Sequence, residues 1–107
     1  MKTQTEVLNE VSTIGINALD WFDKVNGNSY FAGVINVIFK DNTSKQIVMP
    51  FQYGYEQQYI ETATQLLRIN NIIECDNHTA LWRYCRDNGI ELRTSKRENC
   101  KQRELKA

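Results

Sequence analysis

Proline occurs once in this chain, at Pro50, and no segment is of low complexity, so no proline-rich linker divides the sequence. No apolar run approaches the roughly 18–20 residues that a membrane span needs. The opening MKTQTEVLNE has no apolar stretch of the kind a secretory signal carries, which makes the cytoplasm the expected compartment. Histidine also occurs once, at His78, and there is no glycine-rich phosphate loop, no HExxH and no CxxC. Those absences remove the common routes to nucleotide, metalloprotease and dithiol chemistry. Three cysteines, an odd number, suit reduced thiols better than a disulfide framework.

What remains is the composition of an ordinary folded domain. At 107 residues with 41% hydrophobic and 24% charged, the chain can build one core and not two. A single domain over 1–107 is expected, with a core over about 13–95 and a mobile tail from Lys96. Net charge is zero, but unevenly spread: residues 1–80 hold 5 Lys/Arg against 9 Asp/Glu, and residues 81–107 hold 8 against 4. The basic C-terminal part reads either as a solvated face or as a contact with an acidic partner or nucleic acid.

From Ile14 the apolar pattern has period two. Asn17, Leu19, Trp21 and Asp23 share one face, and Ile16, Ala18, Asp20 and Phe22 the other. VNGNS then supplies an Asn-Gly pair suited to a tight hairpin. Tyr30 to Phe39 alternates with apolar residues on both faces, as in a central strand. A third strand over Lys45–Tyr55 puts Ile47, Met49, Phe51, Tyr53 and Tyr55 on one face, and Pro50 marks it as an edge. Glu56–Asn70 has helical periodicity through Tyr59, Ile60, Ala63, Leu66 and Leu67, with Asn70 or Asn71 ending it. A second helix begins after Asp76 or Asn77, buries Leu81, Trp82 and Cys85, and stops at Gly89. Residues 90–95 form a short strand. The expected fold is therefore α+β: an antiparallel three-stranded meander packed against two helices, with residues 4–12 either a short helix or an edge strand.

Chemistry-bearing residues are sparse. Cys75, His78, Cys85 and Cys100 could supply four zinc ligands, but they are not two tight pairs, and a buried Cys85 beside a loop Cys75 reads equally well. Cys75 with His78 is also the one thiol–imidazole pair available for nucleophilic catalysis. No cofactor and no enzymatic activity are expected. Aromatics on a sheet, among them Tyr30, Phe31, Tyr53 and Tyr55, could stack bases while Lys24, Lys40, Lys45, Arg83 and Arg86 neutralise phosphates. Against this, the parity from Ile47 sends Phe51 and Tyr53 to the helix side. The turn offers adaptable contact residues, so Lys24, Asn26, Asn28 and Tyr30, with Arg83 and Arg86, are the expected partner-binding set.

WFDKVNGNSYF (residues 21–31), followed by MPFQYGYEQQY (residues 49–59), resembles a pattern in small phage and prophage proteins, over about residues 18–67. The resemblance implies a phage accessory protein in the cytoplasm of a bacterial host. By analogy of size and origin it implies an inhibitor that binds a host protein or ribonucleoprotein complex, anti-CRISPR and other anti-defence proteins being one such class. A small nucleic-acid-binding protein is the alternative. Dimerisation is left open by the odd cysteine count and by the edge at Pro50.

Overall fold

The structure, a computed structural model, describes residues 11–55, 57–74 and 79–105. Residues 1–10, and with them most of the N-terminal element, lie outside that range. The architecture is α+β with a mixed four-stranded sheet. Its strands are β1 (Val11–Asp23), β2 (Asn28–Phe39), β3 (Ser44–Tyr53) and β4 (Glu91–Arg97), in the order β3-β2-β1-β4. The helices are α1 (Gln58–Ile69), α2 (Leu81–Asp87) and the single-turn α3 (Gln102–Leu105).

The expected meander is present: β1–β2 and β2–β3 pair antiparallel. A fourth strand extends it, because β4 pairs parallel to β1 from Thr13↔Glu91 to Leu19↔Arg97. The chain makes this pairing by crossing from β3 through α1 and α2 to the far side of β1, as a parallel partner requires. A tail beginning at Lys96 is corrected accordingly. Lys96 and Arg97 complete β4, and residues 98–105 fold back with Cys100 and Leu105 buried.

Both central strands put apolar residues on both sides, and both sides are covered in part. On one face Ile14, Ile16, Ala18, Phe31, Ile35, Val37, Ile47 and Met49 pack under Tyr59, Ala63, Leu67, Leu81 and Cys85 of the two longer helices. On the other, Leu19, Trp21, Tyr30, Ala32 and Phe51 pack with Cys100 and Leu105. Lys96 fastens the helix-covered face, with Nζ 3.6 Å from Asp20 Oδ2 and 5.7 Å from the centre of the Tyr59 ring, so it joins β4, β1 and α1.

One register shift changes the expected layout. Gly33 pairs with Met49, but Phe31 pairs with Gln52, so Pro50 and Phe51 stand opposite the single residue Ala32. This is a bulge, placed where Pro50 has no N–H to give to the ladder, on an edge strand. Because side chains alternate with period two, one extra residue reverses every face beyond it. Phe51 and Tyr53 therefore leave the Ile47–Met49 stripe for the opposite face, and the core stripe expected through Tyr55 ends at Met49. Gln52 takes the helix side instead, where its Oε1 accepts from the Thr62 hydroxyl at 3.3 Å.

Helix ends follow local chemistry. α1 closes with Asn71 at φ 60° and the Ile72 amide donating to the Leu67 carbonyl at 2.9 Å. α2 closes at Gly89 with the Ile90 amide donating to the Cys85 carbonyl at 2.8 Å. Its start differs from expectation: the helix begins at Leu81 after an extended Ala80, and Asp76 and Asn77 lie outside the described residues. Trp82, expected on the buried face, is exposed.

Candidate contact surface at the hairpin end

The β1–β2 turn is a four-residue loop, Lys24–Gly27, rather than a two-residue Asn-Gly turn. Asp23 builds it. The Val25 and Asn26 amides donate to Asp23 Oδ1 (3.0 and 3.3 Å), the Asn26 side-chain amide donates to Oδ2 (2.8 Å), and the Gly27 amide donates to the Asp23 carbonyl (2.7 Å). Gly27, at φ 72°, takes the left-handed conformation that closes the loop. The Asn26 side chain, foremost among these partners, holds the Asp23 carboxyl below the usual carboxylate range. Val25 is carried outward at the tip, 92% exposed.

Behind the tip, the bulge assembles a row of rings across three strands. Trp21 and Tyr30 stack with centroids 5.4 Å apart, and Tyr30 and Phe51 with centroids 5.1 Å apart at 8°. Tyr53 meets Tyr30 edge-on at 5.8 Å, and Tyr55 meets Tyr53 edge-on at 5.2 Å. The Tyr53 phenol is held above its ordinary value, first by a hydrogen bond with the Tyr55 side chain. Tyr53, Tyr55 and Phe22 are exposed, while Trp21, Tyr30 and Phe51 are half-buried.

The C-terminal segment braces this end. The Cys100 amide donates to the Asp20 carbonyl at 2.9 Å, and Leu105 is buried beside Ala32. Glu104 accepts from the Lys101 amide at 2.9 Å and pairs with Arg97. The Lys101 amide first, and then the neighbouring cations led by Arg97, hold its carboxyl below the ordinary range.

Of the expected partner-binding residues, Lys24, Asn26, Asn28 and Tyr30 lie together at this end. Arg83 and Arg86 do not join them. They sit on α2, which leads into β4 beside Thr13, whereas the hairpin follows Asp23 at the other end of β1. Arg86 lies 5.1 Å over the Trp82 ring and 3.3 Å from Asp87. Lys40 and Lys45, proposed as phosphate contacts, flank the β2–β3 turn, also remote from the rings. Sequence reading missed Val25 and misplaced Phe51, Tyr53 and Tyr55. The available signal was a proline inside an apolar strand.

A groove of about 620 Å³ between α1, α2 and β4 is lined by Ile60, Gln65, Arg68, Trp82, Leu92 and Thr94, among others. Among the described residues, no group of three or more His, Cys, Asp or Glu is placed to hold a metal ion. Cys85 lies in the helix-side core and Cys100 on the opposite face, so the sheet separates two of the four residues that could have supplied zinc ligands. Cys75 and His78, with the thiol–imidazole reading, lie outside the described residues. No helix among the described residues is long and apolar enough to cross a membrane. Compared with known proteins, the chain matches no family model, no curated protein and no solved structure at a significant level.

Proposed function

We propose that this chain is a non-enzymatic interaction protein that docks its hairpin end on a protein partner. The observation that carries this reading is a concentration of exposed apolar surface. Of eight exposed large hydrophobic residues among those described, four are at this end: Tyr53 and Tyr55 together on the ring face, Val25 on the turn, and Phe22 on the opposite face of the sheet. Exposed apolar side chains scattered singly need no explanation, whereas a touching pair on a rigid support, as Tyr53 and Tyr55 are with centroids 5.2 Å apart, marks a contact site. The support here is the ring stack beneath and the Asp23-built turn. Tyrosine, asparagine and glycine give such a surface contact area with little side-chain ordering cost.

The rings favour a protein over a nucleic acid. Base stacking needs a free aromatic face, and Tyr30 has one neighbour stacked on each side, Trp21 and Phe51. The expected phosphate-binding lysines and arginines are divided between distant places. The similarity to phage proteins suggests the partner's setting: a host protein or ribonucleoprotein complex in a bacterial cytoplasm, occluded by the docked hairpin as an anti-defence inhibitor would do.

Affinity capture from bacterial lysate, run beside a gel shift with single- and double-stranded nucleic acid over a salt series, separates the two classes. Protein interaction predicts reproducible capture of a host protein that survives nuclease treatment. A salt-dependent nucleic-acid shift, with capture abolished by nuclease, would transfer the function to the alternative.

A further inference from the structure

The two edges of the sheet are not alike. β3 carries Pro50 and a bulge, both of which spoil an edge for further pairing. β4 carries neither. Its seven residues run in unbroken register against β1, and among the described residues that is its only strand partner. Among the described residues, one row of its backbone N–H and C=O groups therefore meets no further strand and is placed to take another.

We propose that the strand taken is β4 of a second copy, giving a two-fold symmetric dimer with one continuous eight-stranded sheet. The charge pattern of ELRTSKR selects this occupant. A two-fold axis normal to the sheet makes the strands antiparallel, and directly opposite residues then share a face, so the axis must lie midway between a residue and its own copy. Centred on Thr94, the pairing engages all seven residues. It sets Glu91 opposite Arg97 of the other copy, twice, with Thr94 opposite Thr94 and Leu92 beside the aliphatic stem of Lys96. The neighbouring registers lack this complementarity: centring on Arg93 opposes two arginines, and centring on Ser95 opposes Arg93 to Arg97 twice.

The side-chain faces agree. Glu91, Arg93, Ser95 and Arg97 lie on the face away from the long helices, where the Ser95 hydroxyl donates to Asn17 Oδ1 at 2.7 Å. Their present ion pairs, Glu91 with Arg93 and Arg97 with Glu104, lie within the chain and are exposed, so they are readily shared or exchanged. On the helix side the seam runs along the groove at Leu92 and Thr94, beside the exposed Trp82.

Sedimentation velocity of the full chain between about 1 and 200 µM tests this. A concentration-dependent monomer–dimer equilibrium is expected, and Glu91→Arg, which sets arginine against Arg97, should weaken it by about tenfold or more. The exchange Glu91→Arg with Arg97→Glu restores the pairing and should return affinity to within about threefold of wild type. Because Arg97 also contacts Glu104 and Cys100, Thr94→Lys provides an independent variant: two lysines at the axis should leave a folded monomer by circular dichroism. A wild type that stays monomeric throughout overturns the proposal, as does dimerisation of Glu91→Arg and Thr94→Lys at wild-type strength. An exchange variant no tighter than Glu91→Arg overturns the register.

Discussion

The rings of Tyr30 and Phe51 lie face to face, 5.1 Å between centroids and 8° between planes, on the side of the sheet opposite α1 and α2. That contact exists because the bulge at Pro50 and Phe51 reverses the end of β3. It turns an apparent continuation of the core into the support of an exposed surface.

Phe51 and Tyr53 should therefore respond differently to truncation. Phe51→Ala removes a half-buried stacked ring and should cost about 2 kcal/mol in urea unfolding. Tyr53→Ala removes an exposed ring and should stay within about 0.5–1 kcal/mol of wild type. Equal losses would mean that Tyr53 is part of the core.

Gly33 stands against β1 with no room for a side chain. A Cβ there would collide with the Asn17 carbonyl oxygen and come within 2.9 Å of Ala18 Cα, both backbone atoms that cannot rotate away. Gly33→Ala should destabilise by about 2–4 kcal/mol, measured by thermal or urea denaturation.

Much of this arrangement was legible in the sequence where pairing is regular. Alternation through residues 16–23 and 30–39 assigns both faces correctly, because the β1–β2 ladder is unbroken from Thr13 to Asp23. The same alternation fails on β3, since one inserted residue inverts a period-two pattern without changing its composition. The parallel pairing of β4 is hidden for another reason: it joins residues such as Asn17 and Ser95, 78 positions apart, and a mostly polar edge strand leaves little local signal. The candidate contact surface was half legible. Its turn is written in adjacent residues, but its rings come together only once the bulge is known.

The Lys96–Asp20 pair is largely enclosed, with side-chain exposures of 15% and 16%. Lys96→Met keeps the aliphatic stem but leaves the Asp20 carboxylate covered without this partner, and should cost about 1–3 kcal/mol. The double variant with Asp20→Asn should recover part of that loss in a double-mutant cycle. No recovery would show that the two residues act separately.

Glu104 predicts the acid response of the C-terminal brace. Its folded pKa lies below the ordinary 4.5, so its contribution is fully present above that value and is lost as pH falls through the folded pKa. Titration by NMR should show the Leu105 methyl signals moving with the Glu104 carboxyl, and Glu104→Gln should abolish that transition. The Tyr53 phenol gives the opposite sign. Its raised pKa favours the neutral form, so its contribution is present below pH 10 and fades as pH rises through the folded value, and Tyr55→Phe should lower that value.

Docking through the hairpin end is measurable as quantitative capture of host protein from bacterial lysate. Wild type is compared with a Tyr53→Ala, Tyr55→Ala double variant whose unfolding midpoint matches it. The double variant should retain less than about one-tenth of the partner held by wild type, a loss of at least about 1.4 kcal/mol. Equal capture by the two proteins would contradict docking through this end.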